Sequence, residues 1–186
     1  MTKYILHGGV TKGADPMNDS FFQEVTRESA GKTRILLNYF ARKPEEYEQS
    51  AKEDKKRFLE NSPHTDVEFD IADPHRLAEQ LERCPIMYIK GGNTPLLLKL
   101  LSHAQDFRKC INGRVIAGVS AGVNVLSAYY WSNHNTRIME GLGILNIKVI
   151  CHFHPEDNEI VKKLLSYKED LPLLTLPEYH WAVMYR

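Results

Sequence analysis

Residues 115–126, VIAGVSAGVNVL, place a serine between two glycines, after a β-branched run and before a small-residue segment that can begin a helix. A strand that turns sharply into a helix exposes the side chain at the turn beside the helix N-terminus. Side chains two positions before and after the turn would collide, which explains Gly118 and Gly122. The free N–H groups and positive dipole end of the helix would stabilise an oxyanion. Ser120 is thus placed as a nucleophile, although a serine here can also serve only as a helix cap.

Short β-branched or apolar runs alternate with amphipathic stretches on both sides of this motif. We predict strands at 3–6, 34–40, 66–69, 86–89, 114–117, 148–151 and 173–176. We predict helices at 19–29, 44–60, 74–82, 95–107, 121–128 and 158–167. The alternation indicates an α/β fold of three layers, with a doubly wound, mostly parallel sheet between helices. No linker or repeat interrupts the pattern, so residues 1–186 are expected to form a single domain.

A second predicted strand runs into a glycine turn, in the segment IMYIKGGNTPLLL (86–98). Parallel strands bring their carboxyl ends to one edge of the sheet, so this turn and Ser120 are expected to lie close together. The exposed glycine N–H groups would then supply the second donor that an oxyanion hole requires. Lys90, just before the glycines, is expected to be solvated, although it could contact a substrate carboxylate.

A serine nucleophile needs a base and a group that orients the base. Candidate bases downstream of the serine are His134, His152, His154 and His180. Two of them follow the predicted strand at 148–151, and a glutamate in LPEYHW (176–181) follows the last predicted strand. We therefore expect imidazole and carboxylate groups at the same sheet edge as the serine.

Composition disfavours several other classes of function. The chain has 24 Lys and Arg residues against 24 Asp and Glu, so no basic surface favours nucleic-acid binding. It has no apolar run of about 18 residues and no signal peptide at its start, so we expect a cytoplasmic protein without membrane contact. Cys84, Cys110 and Cys151 form no CxxC pair, which favours reduced thiols over a disulfide framework or a zinc site. The charged stretch YEQSAKEDKKRFLEN (47–61) is expected to be a solvated surface helix.

Five segments together resemble the aspartyl dipeptidase and cyanophycinase family of serine peptidases, whose fold is related to the class I glutamine amidotransferases. In order, they are YILHGG (4–9), YIKGGNTPLLLKLL (88–101), GVSAGVNVL (118–126), the His-Phe pair at 152–153 and LPE (176–178). They extend over nearly the whole chain. The resemblance implies a serine peptidase with a small peptide as substrate.

The same resemblance implies roles for individual residues. The family uses a Ser-His-Glu triad, which assigns Ser120 as the nucleophile, His152 as the base and Glu178 as the residue that orients the base. The N–H groups of Gly92 and Ala121 would form the oxyanion hole. No metal or cofactor is expected to take part.

Three features depart from the family pattern. FHPE (153–156) also resembles the segment around the catalytic histidine and glutamate of glutamine amidotransferases, so His154 with Glu156 stays open as an alternative to His152. HPEDNEIVKK (154–163) lacks the arginine that the family associates with acidic substrates, so aspartyl specificity does not follow. The sequence ends eight residues after the LPE glutamate, where relatives add strands, so we expect an open site or one completed by a second copy in a homodimer.

Four residues are candidates for contacts with the substrate: Asn93, His134, Arg137 and His154. His134 and Arg137 lie in WSNHNTRIME (131–140), which is expected to be a loop at the border of the cleft. Either residue could supply positive charge to an acidic substrate.

Two other functions remain open on the sequence. One is a binding domain of amidotransferase-like fold without catalysis. The other is an α/β-hydrolase esterase that combines Ser120 with Asp157 and His180 and uses LHGG (6–9) as an oxyanion loop. Only 66 residues follow Ser120, which is short for the strands and helices that the α/β-hydrolase fold still requires.

Overall fold

A computed structural model describes residues 1–13, 15–28, 32–104 and 106–186. The strands are β1 (Lys3–His7), β2 (Thr33–Asn38), β3 (Val67–Ile71), β4 (Ile86–Ile89), β5 (Val115–Val119), β6 (Tyr129–Ser132), β7 (Arg137–Glu140), β8 (Lys148–Cys151), β9 (Leu173–Leu176) and β10 (Trp181–Tyr185). The helices are α1 (Pro16–Thr26), α2 (Tyr47–Asn61), α3 (Leu77–Arg83), α4 (Thr94–His103), α5 (Phe107–Cys110), α6 (Ala121–Leu126) and α7 (Asn158–Leu165). A short 3₁₀ helix (Pro44–Glu46) precedes α2.

The larger sheet has six strands in the order β10-β1-β5-β4-β2-β3. All neighbours are parallel except β10, which pairs antiparallel with β1 at one edge. Alternate side chains enter two cores: Ile35 and Leu37 face α1 and α2, whereas Leu36 faces the side of α3, α4 and α6. Because both faces are covered by helices, the central strands are apolar on both sides.

The smaller sheet has four strands in the order β7-β6-β8-β9. Its β6, β8 and β9 are parallel, and β7 is antiparallel to β6. On one face, Leu164 of α7 packs with Tyr129 and Ile150. On the other face, Val149 and Cys151 join the core that contains α6. The carboxyl ends of β8 and β9 meet the carboxyl end of β1, because His152 and Tyr179 donate their N–H groups to the carbonyls of Gly8 and Gly9.

The structure confirms the expected α/β class with helices around mostly parallel strands. Every predicted strand is present, with ends shifted by up to two residues. The prediction did not anticipate that the strands divide between two sheets. It also missed β10, the apolar run WAVMY, which pairs antiparallel with β1 at the edge of the larger sheet.

Residues 131–140 are not the loop that the sequence suggested. They contain the end of β6, a turn and all of β7, paired in register from Tyr129 with Glu140 to Ser132 with Arg137. The long-range pairing of the backbone, together with the packing of the partly buried Ile138 against the cluster of Tyr129, Ile150 and Leu164, stabilises both strands.

The predicted helices shift at their ends. Helix α1 begins at Pro16 because the side chain of Asp15 caps its first N–H groups; Ser29, the end of the predicted helix, lies outside the described residues. The helix predicted at 95–107 is divided into α4 and α5, with Gln105 between them also outside that description. In the described parts of the chain, no helix is both long enough and apolar enough to span a bilayer.

Candidate active site

The turn between β5 and α6 holds Ser120 in a conformation that few side chains adopt, with φ 47° and ψ −100°. Neighbouring glycines allow the turn to be this sharp. A Cβ on Gly118 would lie 2.9 Å from the carbonyl carbon of Gly122, and one on Gly122 would lie 2.7 Å from the carbonyl oxygen of Ile89. The N–H of Ser120 donates to the carbonyl of His7 at 2.9 Å, which fixes the turn against β1. Strain at one serine is therefore maintained by packing on all sides.

The serine hydroxyl is part of a hydrogen-bonded series of three side chains. Ser120 Oγ lies 2.9 Å from His152 Nε2, and His152 Nδ1 lies 3.0 Å from Glu178 Oε1. A carboxylate only accepts hydrogen bonds, so the imidazole donates from Nδ1. Its Nε2 is then free to accept the hydroxyl proton of Ser120. The arrangement can move a proton from a serine hydroxyl to an imidazole.

The backbone of Gly8 and Gly9 positions the imidazole. The N–H of His152 donates to the carbonyl of Gly8 at 3.0 Å. A Cβ on Gly9, whose φ is +142°, would lie 2.1 Å from Cε1 of His152, so only glycine lets the ring pack there. His152 itself has a φ of 54°.

The same two glycines hold the segment that carries Glu178. Tyr179 donates its N–H to the carbonyl of Gly9 at 3.1 Å, and a Cβ on Gly8 would lie 2.1 Å from the carbonyl oxygen of Pro177. LHGG thus supports the histidine and glutamate of the series, which differs from the role of an esterase oxyanion loop.

His7 is the first side chain of this support. It is fully buried; its Nδ1 accepts from the N–H of Gly9 at 3.0 Å, and its Nε2 lies 2.9 Å from Oδ1 of Asn18. Burial lowers the pKa of His7 to about 4, and the nearby His152 and His180 lower it further, whereas Asn18 opposes the shift. His7 is therefore neutral at pH 7, with both ring nitrogens engaged.

The glycine turn after β4 lies directly beside the serine. A Cβ on Gly91 would lie 3.3 Å from the Cβ of Ser120. Gly92 and Ala121 donate their N–H groups to no acceptor among the residues that the structure describes. Both N–H groups are therefore able to donate to a ligand next to the serine.

Lys90 is not solvated, in contrast to the expectation from the sequence. It is buried, and its ammonium donates to Oδ1 of Asp54 on α2 at 2.5 Å. The hydroxyls of Tyr39 and Tyr88 also donate to this carboxylate. Burial raises the pKa of Asp54, while Lys90 opposes that shift. Lys90 does not line the cleft beside the serine, so it is not available there to a substrate carboxylate.

This cleft has a volume of about 340 Å³, in the size range of small-molecule sites. Its lining consists of Gly92, Asn93, Thr94, Pro95, Ser120, Asn124, Trp131, Ser132, Asn133, His134, Asn135, Cys151 and His152. Asn124 was missed by the sequence analysis. Its position four residues after Ser120, about one helical turn into α6, would have indicated that its side chain lies on the same side as the serine.

Two of the four candidates for substrate contacts line this cleft, and two do not. His134 lies in the β6–β7 turn at the cleft, and Asn93 lies at the start of α4, where its Oδ1 accepts from the N–H of Leu96 at 2.9 Å. Arg137 begins β7, is exposed and lies outside the lining. His154 is also exposed and outside it, and donates its backbone N–H to Asp157.

The alternative arrangements of catalytic groups are not formed. Only His152 among the candidate histidines contacts the serine hydroxyl in the described residues. His154 and Glu156 are both exposed and make no contact with it. The ring of His180 bonds the backbone carbonyl of Glu178 at 2.9 Å, and Asp157 accepts from the backbone of His154, so the esterase arrangement is absent.

The one cysteine beside the site is not an activated nucleophile. Cys151 is buried, and its thiol donates to the carbonyl of Ser120 at 3.6 Å. Burial raises the pKa of this thiol well above its usual range. Cys84 is also buried, and burial raises the pKa of its thiol to about 11. Neither is a thiolate at neutral pH.

Comparisons with known proteins agree with this architecture. The structure of a peptidase from an acI-B1 Actinobacterium superposes with a TM-score of 0.71 at 22% identity, over 98% of this chain and 83% of that one. A putative peptidase E protein from Listeria monocytogenes EGD-e superposes with a TM-score of 0.69 at 16% identity, over 99% of this chain and 94% of that one. At these identities the two structures show the fold. No curated protein matches the chain significantly.

The sequence model of peptidase family S51 matches residues 8–185, which is nearly the whole chain. This match confirms the resemblance inferred from the five sequence segments. The matched region includes the glycine pair after β1, the glycine turn after β4, and all three side chains of the hydrogen-bonded series. The chain therefore belongs to peptidase family S51 and is a serine-type peptidase.

Proposed function

We propose that the chain hydrolyses short peptides through an acyl-enzyme on Ser120, with His152 as the general base and Glu178 as the residue that orients it. The observation that carries this proposal is the continuous hydrogen bonding from Ser120 Oγ to His152 at 2.9 Å and from His152 to Glu178 at 3.0 Å. The short-peptide character is inferred from the resemblance to the aspartyl dipeptidases and from the likeness to the Listeria protein, a putative peptidase E.

In the proposed mechanism, Ser120 Oγ attacks the carbonyl carbon of the scissile peptide while His152 Nε2 takes the hydroxyl proton. The N–H groups of Gly92 and Ala121 donate to the oxyanion that forms. His152 then gives its proton to the leaving amine, and the acyl group stays on the serine. Water, activated by His152, attacks the ester and releases the acid. Glu178 stabilises the imidazolium in both steps.

We further propose that the acyl side chain of the substrate is uncharged. Among the described residues, no lysine or arginine lines the cleft, and Arg137 lies outside it. His134 lines it from an exposed turn and is the one sequence candidate for positive charge that does. The start of α4 offers few backbone donors to a carboxylate, because Pro95 has no N–H and the N–H of Leu96 already donates to Oδ1 of Asn93. Amide and hydroxyl side chains dominate the lining, and these groups pair with neutral polar partners without a charge to desolvate.

The proposal is tested with a dipeptide library that contains matched Asp/Asn and Glu/Gln pairs, assayed with the wild type and Ser120→Ala. We expect hydrolysis of neutral substrates, at rates that fall by about 10⁴-fold or more in Ser120→Ala. Labelling of the wild type by a fluorophosphonate probe, measured by intact mass, should disappear in the variant. Undiminished hydrolysis by Ser120→Ala would contradict the mechanism. A folded wild type that neither reacts with the probe nor hydrolyses any peptide would favour a binding domain.

A further inference from the structure

The peptide between Gly91 and Gly92 carries one of the two proposed oxyanion donors, and it is free to rotate unless something holds it. Glycine on both sides permits many backbone conformations. Rotation of this peptide plane would replace the Gly92 N–H at the serine with the Gly91 carbonyl oxygen. A carbonyl there would repel an oxyanion instead of stabilising it. A site of this kind needs a group that fixes the plane.

Arg42 makes the contact that can fix it. Its Nε donates to the carbonyl oxygen of Gly91 at 2.7 Å, a short, charge-assisted hydrogen bond. In a trans peptide the C=O and the following N–H point in opposite directions. With the carbonyl of Gly91 held by Arg42, the N–H of Gly92 is directed away from Arg42, towards the cleft that Gly92 and Ser120 both line.

The loop that carries Arg42 also holds the next peptide. The carbonyl of Ala41 accepts from the N–H of Asn93 at 2.8 Å. Gly92 has a φ of +152°, and a Cβ there would lie 2.3 Å from the same carbonyl oxygen. The turn after β4 is thus held by the loop after β2 on two consecutive peptides.

The guanidinium of Arg42 has no stronger competing partner among the described residues. Its nearest carboxylate is that of Glu46, whose Oε1 lies 3.9 Å from Nη1 of Arg42; the two side chains are 46% and 36% exposed, respectively. An exposed pair at that distance contributes little. The bond to Gly91 is therefore the contact that determines the position of the Arg42 side chain.

We infer that Arg42 is a positioning residue, which holds the Gly91–Gly92 peptide so that the Gly92 N–H faces the oxyanion. This inference rests on the proposed function and adds to it a residue that does not touch the substrate. Because the N–H is needed mainly in the transition state, its misorientation should lower kcat much more than it changes KM.

The test compares Arg42→Met, Arg42→Lys and the control Glu46→Gln, which removes the other contact of Arg42. Each variant is assayed for kcat and KM on the dipeptide that the wild type hydrolyses fastest. Each is also assayed for inhibition by the aldehyde analogue of the first residue of that dipeptide, in which a CHO group replaces the scissile carbonyl. The aldehyde forms a hemiacetal with Ser120, so its affinity reports on the oxyanion donors. Removal of one such donor costs about 10² to 10³ in kcat, and loss of its orientation should cost less.

We expect Arg42→Met to lower kcat and aldehyde affinity by about 10 to 10²-fold, with KM within about twofold. Arg42→Lys should recover part of the loss, because an ammonium can still donate to the carbonyl, and Glu46→Gln should match the wild type. If Arg42→Met does not fold, as judged by circular dichroism, Arg42→Lys still tests the inference, because its recovery is only partial and its kcat and aldehyde affinity should stay below those of the wild type.

Unchanged kcat and aldehyde affinity in folded Arg42 variants would overturn the inference, as would a loss confined to KM. Ser120→Ala is measured in parallel to separate the two proposals. If Ser120→Ala is inactive and the Arg42 variants are normal, only the positioning role fails. If Ser120→Ala is fully active, the proposed function itself fails.

Discussion

The two halves of the candidate site are built in different ways. On the six-stranded sheet, the turn that carries Ser120 is fixed by backbone packing that leaves no space for a Cβ at Gly118 or Gly122. On the four-stranded sheet, the groups that act are side chains: His152 is 32% exposed and Glu178 is 38% exposed. The first half is rigid because its backbone is enclosed. The second half depends on contacts between the ends of two sheets.

This difference suggests how each half tolerates change. A substitution that adds atoms to the enclosed half must move backbone, so it affects folding and catalysis together. A substitution among the exposed side chains removes a charge or a hydrogen bond that water can partly replace, so its effect on the rate is graded. Variants of His152, of Gly9, which packs against it, and of Glu178 test whether the two halves respond to substitution in these different ways.

The largest effect is expected from the base. His152→Gln removes the proton acceptor of Ser120 and should lower kcat by about 10⁴-fold or more. The matched control is His154→Gln, two residues later on the exposed side of the same segment, which should stay within about twofold of the wild type. Steady-state kinetics on one dipeptide measures both. The reverse order, a large loss in His154→Gln and a small one in His152→Gln, would restore the amidotransferase-like alternative.

A smaller loss is expected when the support of the base is changed without touching the base. Gly9→Ala places a Cβ 2.1 Å from the His152 ring, so the ring must move, and a shift of about 1 Å can cost about 10²-fold in rate. Gly13→Ala is the control, because Gly13 also has a positive φ, +89°, but nothing lies within 4 Å of its would-be Cβ. Both variants carry backbone strain, and only Gly9→Ala carries the collision. Equal kcat values in the two variants would show that Gly9 does not position His152.

The effect of Glu178→Gln should be smaller again. The amide keeps the shape of the side chain but loses the charge that stabilises the imidazolium, and solvent around the half-exposed glutamate screens part of that charge. We expect kcat to fall by about 10 to 10²-fold with little change in the melting temperature. Kinetics and thermal unfolding on the same sample measure both quantities. In a triad whose carboxylate is buried, replacement of that carboxylate by its amide lowers kcat by about 10⁴-fold, because the histidine takes the wrong tautomer. A loss of that size in Glu178→Gln would mean that Glu178 acts like a buried carboxylate, and the contrast between the two halves would disappear.

Much of the enclosed half could be predicted from the sequence. Its strands are β-branched runs that are buried on both faces, and the G-x-S-x-G spacing indicates the sharp turn by itself. The family resemblance favoured His152 over His154, but the residues around them do not decide between the two. Both follow β8 by a few residues, and what separates them is a left-handed backbone at His152, φ 54°, which no local pattern announces.

The buried ion pair of Lys90 and Asp54 was not predicted from the sequence, although the spacing of Asp54 was one indication of its burial. Lys90 and the charged stretch 47–61 were expected to be solvated, yet Lys90 and Asp54 form a buried pair. Asp54 shares a helical face with Ala51 and Phe58, the other buried residues of α2, so its spacing placed it towards the core. Its partner after β4 could not be identified, since nothing in either segment indicates the contact. The same holds for Arg42 and Gly91, which are 49 residues apart.

The smallest effect concerns His7, which joins the two halves: its carbonyl accepts from Ser120, and its ring accepts from Gly9, which packs on His152. Burial lowers the pKa of His7 to about 4 in the folded chain, against about 6.5 when unfolded. Between these values the unfolded chain binds more protons, so stability falls as the pH falls. The pKa difference corresponds to about 3 kcal/mol in total, of which about 1 kcal/mol is lost between about pH 6.5 and about pH 5.5.

Denaturant unfolding of the wild type and His7→Gln at about pH 6.5 and about pH 5.5 measures this contribution. The variant should be less stable at both pH values, because it loses the contact with Phe21 and part of the hydrogen bonding, but its stability should change less between them. His134→Gln, at an exposed turn, should keep the wild-type difference. If His7→Gln also kept the full difference, the acid sensitivity would arise outside the junction of the two halves. A flatter dependence would instead show that protonation of His7 lowers the stability of the fold in acid, because protonated Nδ1 can no longer accept the N–H of Gly9.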